Sequence, residues 1–371
     1  MENIWDASSK CNNRDDLSDI TWSAGKGDTG LFKDSFPLIC KDIVKIPIHP
    51  AIRTNLTKTS AADAVETSVR CSHTIIDPGT MKATMLAIAA SKTITSISFN
   101  NCGLNDVALA TLATGLSTTQ VTSLAVDYNE SIDITALCNL ITCPQLTSLA
   151  LRGNNLGKTE GNVSKLCDVL SKNTTLTHLT LYRNGLGDNG IKIVTRMLRR
   201  NKTIQMLSVG SNDITAKGLS DLIASVTCYT LTQIGLDERN ELKNVESADA
   251  GGDKKKKKKG GDANGPVLDA IVSGGICEKD EEGNDIEDSN IATLGTICRG
   301  NTNIVRLDVS YNANMKNGSK EIIEEFISNS KEDILLSALT TLDIIGCGLS
   351  EEQVSECVKY LSTVRNVETE E

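Results

Sequence analysis

The feature that most constrains this chain is an apolar pattern that returns at a fixed interval. In the stretch from Leu176, LTHLTLYRNGLGDNG, three leucines (Leu176, Leu179, Leu181) precede Asn184 and Leu186. At identical offsets the next stretch places Ile204, Leu207, Val209, Asn212 and Ile214, so 28 residues separate the two starts. A fixed apolar period in this range marks a solenoid of stacked units rather than a single closed core. Leu179 and Leu181 are two apart and share one face of a strand, while Thr180 between them takes the other face. The short polar amide of Asn184 falls where the strand must bend away, and buried backbone groups at such a bend need a partner. Ile191, Val194 and Leu198 then recur at helical spacing and turn an apolar face back onto the strand, in a helix that Gly190 is expected to open. No unit of this kind covers its own core, so stacking with neighbours is obligatory.

Full copies start at Ile94, Val121, Leu146, Leu176, Ile204, Leu231, Ile304 and Leu339, behind a partial unit from about Thr74 whose helix is expected over residues 81–91. The copy at Leu231, with Ile234 and Leu236, is interrupted, and its helix is expected to resume through Ile291, Leu294 and Ile297. Cys102 and Cys347 stand where Asn184 stands in its own copy, and Cys167, Cys298 and Cys357 fall in expected helical runs. The twelve cysteines therefore read as small buried hydrophobes rather than a disulfide framework. They include no CxxC pair, and the three histidines His49, His73 and His178 are far apart, so no metal site and no cofactor are expected. The Asn173 and Asn201 sequons are expected to mean nothing in a chain without a secretory signal.

The pattern LxxLxLxx(N/C)xL followed by a long helix resembles the ribonuclease-inhibitor-like subfamily of leucine-rich repeats. The resemblance covers residues 74–365 and implies an α/β solenoid, a horseshoe with a parallel sheet on its concave face and helices on its convex face. Three segments are expected: an N-terminal extension or cap over residues 1–73, the repeat domain over 74–365 with a disordered insertion at 244–290, and a tail over 366–371. The subfamily includes inhibitors, immune sensors, actin-capping proteins, a Ran GTPase-activating protein and subunits of cilia and flagella, so the resemblance fixes fold more than function.

Outside the repeats, residues 22–35 are glycine-rich but lack phosphate-loop spacing, and a flexible loop is expected there. Residues 36–52 carry enough apolar side chains to dock, as a cap on the first repeat or as an arm for a partner. The insertion holds six lysines in a row (Lys254, Lys255, Lys256, Lys257, Lys258 and Lys259), which could touch an acidic surface, followed by an acidic run at 278–288; residues 267–274 could dock as a short helix. A net charge of −10 disfavours nucleic acid and anionic membranes as partners. With no long apolar run or leader in view, the chain is expected in the cytosol.

The binding candidates are the residues placed between or just after the inward strand positions: Tyr128, Arg152, His178, Tyr182, Arg183, Asp237, Glu238, Asp308 and Tyr311. Tyrosine and arginine dominate binding hot spots, and this face is expected to pass from Arg-bearing to Asp/Glu-bearing along the array. No catalytic constellation is visible: His178 has no partnered nucleophile, and Asp237 and Glu238 are adjacent, so on a strand they would diverge. The function expected is a non-enzymatic adaptor that binds other proteins, subunits of a larger cytoplasmic assembly. Lysine-rich, glycine-flanked loops on short arrays look like axonemal subunits, including the leucine-rich subunit of the dynein regulatory complex. The alternative is a GTPase-activating protein resembling the Ran-directed one, whose acidic tail this chain does not match.

Overall fold

The fold is that of a computed structural model, which describes residues 17–52, 66–129, 132–231, 233, 236–237, 240, 271–273, 277–279, 285–287, 296–316, 318–328 and 337–366. Its centre is an open sheet of eight parallel strands: β1 (Ser68–Ser72), β2 (Ser96–Asn100), β3 (Ser123–Asp127), β4 (Ser148–Ala150), β5 (His178–Thr180), β6 (Met206–Ser208), β12 (Arg306–Asp308) and β13 (Thr341–Asp343), in that order. Parallel neighbours need a crossover. Helices supply it here: α1 (Phe32–Leu38) belongs to the N-terminal segment, and α2 (Pro78–Ser91), α3 (Asp106–Leu116), α4 (Ile134–Ile141), α5 (Glu160–Leu170), α6 (Gly187–Arg200), α7 (Ala216–Val226), α8 (Ser319–Ser328) and α9 (Glu351–Asn366) follow the strands. The α6 helix begins three residues before the glycine expected to open it.

The register aligns one apolar row across the whole sheet, Ile97, Leu124, Leu149, Leu179, Leu207, Leu307 and Leu342, each almost fully buried. A one-residue slip would turn this row to solvent, so burial enforces the register.

The bend asparagines form a continuous ladder through the core. The Oδ1 of each accepts the backbone N–H of its counterpart one repeat earlier: Asn129 from Cys102 (3.0 Å), Asn154 from Asn129 (2.7 Å), Asn184 from Asn154 (3.0 Å), Asn212 from Asn184 (2.8 Å) and Asn312 from Asn212 (2.7 Å). Their Nδ2 groups donate to strand carbonyls such as Leu151 O (2.7 Å, from Asn184) and Leu181 O (2.9 Å, from Asn212). Cys102 and Cys347 stand at the ladder's ends, where their thiols donate to Cys71 O and Val309 O. A thiol can cap a carbonyl there but carries no amide oxygen to serve a preceding repeat.

A second ladder runs along the turns from helix to strand. Asn173, Asn201 and Asn301 donate from Nδ2 to Ile141 O (2.7 Å), Leu170 O (2.7 Å) and Leu198 O (2.6 Å), the last turn of the preceding helix. Their Oδ1 atoms accept from Leu176 N, Ile204 N and Ile304 N. The Asn173 and Asn201 motifs, read from sequence as chance sequons, thus close the end of one helix and open the next strand.

The array departs from the sequence reading at its start and in its middle. It begins at Ser68, ahead of Thr74: β1 has only Val69 and Cys71 as inward residues and no bend asparagine, so it escapes the leucine pattern. The copy expected at Leu231 does not enter the sheet. Strand β6 pairs directly with β12, and the asparagine ladder passes from Asn212 straight to Asn312. Position 239, where that copy would need its bend asparagine, is arginine, which has no amide oxygen to serve a preceding repeat. The described strands between Cys228 and Arg299 lie outside that sheet instead. Strands β7 (Cys228–Thr230) and β11 (Ile297–Arg299) pair antiparallel, with β8 (Ile271–Ser273) on the other edge of β11, and β9 (Cys277–Lys279) pairs with β10 (Asp285–Glu287). Gly300 N to Thr227 O (2.7 Å) and Asn301 N to Ser225 O (2.7 Å) bring the chain back to its departure point. Repeats on either side therefore stack as consecutive units. Ile297 and Cys298, expected on helices, lie on β11, and residues 271–273, expected within a short helix, form β8. The lysine run at 254–259 lies outside the described residues.

Residues 17–52 pack on the first repeat. Phe32, Phe36, Ile39, Cys40, Val44 and Ile52 are buried in the same core as α2 and α3, and Lys82 Nζ sits 3.3 Å from the centre of the Trp22 ring. The prolines at 47 and 50 follow a short π-helical turn, Ile39–Val44, as expected from their missing N–H groups.

Candidate functional site: the concave face

Each repeat leaves the sheet through one residue in the left-handed region: His73 (φ 53), Asn101 (51), Tyr128 (56), Gly153 (63), Arg183 (55), Ser211 (53), Tyr311 (58) and Gly346 (74). This conformation is costly for side chains other than Gly or Asn. The ladder beside it fixes it in every repeat but the last, because the N–H of the residue is held by the next strand, as in Tyr128 N to Arg152 O (2.7 Å) and Tyr311 N to Ile345 O (2.7 Å).

The tyrosines lean along the array. A Cβ on Gly153 would lie 2.4 Å from Tyr128 Cδ1, and one on Gly210 would lie 2.8 Å from Tyr182 Cε2. Both glycines let an aromatic ring lie flat on the backbone of the next repeat. Tyr311 is the most open of the three, at 60%.

Between them lies a concave depression of about 480 Å³, lined by Tyr128, Arg152, His178, Tyr182, Met206, Arg306, Asp308 and intervening strand residues. It brings together five of the candidates read from sequence. Two of its residues, Met206 and Arg306, were missed, although they occupy the offset of His178: the register aligns Ser148, His178, Met206 and Arg306 in one row. Arg183 and Tyr311 sit on the exit turns at the rim, and neither lines the depression. Asp237 does not end a sheet strand; it is a helical residue whose carboxylate accepts from Gln233 Nε2 (2.8 Å), and Glu238 lies outside the described residues. The expected polarity change is modified accordingly: Arg306 puts a cation on a late strand, and the late carboxylates are Asp308 and Asp343.

The two carboxylates beside the depression are already engaged. Asp127, 4% exposed, accepts Arg152 N (2.8 Å) and Arg152 Nη1 (3.2 Å). Asp308 accepts Ser208 Oγ (2.6 Å), Ser310 Oγ (2.6 Å) and Ser310 N (2.9 Å). His178 shares its Nδ1 with Thr177 Oγ1 (2.8 Å). Among the described residues no three His, Cys, Asp or Glu side chains gather in a way that could hold a metal ion, and no helix is long and apolar enough to cross a membrane.

A family model described as "Leucine Rich repeat" matches residues 172–192 and 200–222, which are the helix-to-strand turns, β5, β6 and their bends. The chain therefore carries leucine-rich repeats. It is 34% identical to the NACHT, LRR and PYD domains-containing protein 3 of Bos taurus over 131 residues, 34% of this chain and 13% of that protein. It is 31% identical to Tropomodulin-4 of Homo sapiens over 80 residues, 21% of this chain and 23% of that protein. This leucine-rich repeat chain thus matches less than a quarter of the length of either relative. Among solved structures, LegL7 from Legionella pneumophila, itself leucine-rich-repeat-containing, covers 85% of this chain with a TM-score of 0.41 at 14% identity. The open sheet with helices on one side is the α/β solenoid implied by the ribonuclease-inhibitor-like pattern, and arrays of this type are protein-interaction scaffolds.

Proposed function

We propose that this leucine-rich repeat protein is a non-enzymatic adaptor that holds a partner protein on its concave face, within a larger cytoskeletal assembly of which the ciliary or flagellar axoneme is the first setting to test. The observation that carries this reading is the depression itself. Two tyrosines, a methionine, a histidine and two arginines converge from five neighbouring strands, and the two carboxylates beside them are consumed internally. Rigid aromatic and guanidinium groups on a preorganised sheet lose little entropy on binding. The buried N-terminal segment supports a cap role for residues 17–52, since the open end of a solenoid needs covering. The axonemal setting rests on the resemblance of the lysine-rich, glycine-flanked insertion to such subunits.

The test is affinity purification of the tagged full chain from its source cells at gentle salt, beside a Tyr128→Ala/Tyr182→Ala variant whose melting temperature stays close to that of the unaltered chain. Tubulin, dynein-associated or other cytoskeletal subunits that co-purify with the unaltered chain and are lost with the variant bear the reading out. An identical set on both sinks the concave-face reading. A small GTPase without cytoskeletal proteins redirects it to GTPase regulation.

A further inference from the structure

We infer that the concave depression recognises an acidic peptide segment of its partner, one that places carboxylates beside an aromatic residue. This rests on the adaptor reading and adds the chemistry of the occupant.

The argument is a count of donors against acceptors. Arg306 is exposed, and its guanidinium has no hydrogen bond or ion pair among the described residues. Arg152 is 47% exposed at its side chain and gives Nη1 to Asp127, which leaves most of its five N–H donors unspent. His178 is exposed, and with Nδ1 at Thr177 it keeps Nε2 for a ligand. On the acceptor side, both oxygens of Asp308 and both of Asp127 have protein partners. The depression, whose lining does not include Asp343, therefore offers donors in surplus, although the chain as a whole carries −10. A guanidinium fork matches a carboxylate in a bidentate pair, and such charge-assisted pairs are the strong ones.

Register fixes where the carboxylate sits. His178, Met206 and Arg306 are neighbours across β5, β6 and β12, so His178 and Arg306 flank Met206 at about 5 Å on either side, one strand spacing each. A carboxylate above Met206 meets the Arg306 guanidinium on one side and, in the tautomer whose Nδ1 accepts from Thr177, the His178 Nε2–H on the other, while the thioether packs under the methylenes that carry it. Arg152 lies toward the exit end of the strands, in the row of Tyr182 and beside Tyr128, and the two tyrosines form an aromatic wall there. A neighbouring aromatic side chain of the peptide rests on that wall, and a second carboxylate reaches Arg152.

The probe is the fluorescein-labelled peptide Gly-Glu-Glu-Tyr-Glu-Glu-Gly, titrated with the full chain at low salt and read by fluorescence anisotropy, against the same peptide with glutamine for glutamate. The expected result is binding at least ten times tighter for the glutamate peptide, weakened at least tenfold by Arg306→Glu and only about two- to threefold by Arg306→Lys. A variant with all six lysines at 254–259 changed to glutamine should bind as the unaltered chain does. Equal binding of the two peptides overturns the inference. So does loss of binding in the lysine variant with full retention in Arg306→Glu, which would place the acidic peptide on the insertion. If neither peptide binds while Tyr128→Ala/Tyr182→Ala still strips partners in the purification, the adaptor reading stands and this one fails.

Discussion

Replacing Asn184 by alanine tests the ladder that holds consecutive repeats together. Asn184 is 1% exposed. Its Oδ1 accepts Asn154 N (3.0 Å) and, at longer range, Leu156 N (3.4 Å); its Nδ2 donates to Leu151 O (2.7 Å) and Tyr182 O (3.3 Å). Alanine removes both functions and leaves two well-paired buried groups, Asn154 N–H and Leu151 C=O, without partners. Each such loss costs about 1–3 kcal/mol, and the two longer bonds add less, so the expected destabilisation is about 2–6 kcal/mol. That is a large share of the roughly 5–15 kcal/mol by which folded domains are stable. The cost also falls on the contact between adjacent repeats, which in a solenoid carries cooperativity. Urea unfolding followed by far-UV circular dichroism should therefore show a lower midpoint, with Thr174→Ala, an exposed turn substitution, as the control near zero. Asn184→Asp keeps the acceptor but loses the donor and should be no better than alanine. A midpoint for Asn184→Ala within about 1 kcal/mol of the unaltered chain would refute the claim that the amide bonds the repeats together.

Three further outcomes are expected. Gly153→Ala combines a left-handed backbone with a Cβ 2.4 Å from the Tyr128 ring; it should cost at least about 1 kcal/mol and displace Tyr128, read as a change in near-ultraviolet circular dichroism. His49 is buried, and burial first of all holds its imidazole below the ordinary value, against the opposing pull of Asp77. The unfolded chain then binds the extra proton, so this contribution is full above about pH 6.5 and is lost as pH falls from there through the depressed folded value. The melting temperature should drop between about pH 7.5 and 5.5, and less steeply in His49→Gln; equal slopes would remove His49 as the cause. Burial pushes the thiols of Cys40, Cys71, Cys102 and Cys167 up to about 12. Those four should resist Ellman's reagent at pH 8 until the chain unfolds, and rapid labelling of any of them in the native protein, mapped by mass spectrometry, would contradict their burial.

Much of this protein is dictated by sequence alone. A leucine row at fixed offsets with an amide at each strand exit can be satisfied only by parallel strands in register, because every other pairing exposes the row or orphans the bend. Those offsets also locate the concave positions, and Met206 and Arg306 stand where His178 does. Tertiary structure decided the rest. The copy at Leu231 has the apolar spacing of a repeat, yet Arg239 supplies no amide for its bend, and only the stacking of Asn212 on Asn312 reveals that the sheet passes it by. The Asn173 and Asn201 motifs acquire a role once the helix of the previous repeat presents open carbonyls 32 and 31 residues away. The charge a partner meets is likewise a property of contacts. Asp308 and Asp127 count equally with Arg306 in composition, but hydroxyls and Arg152 occupy the carboxylates and leave Arg306 free, because burial and geometry, rather than residue type, determine which charges remain unspent.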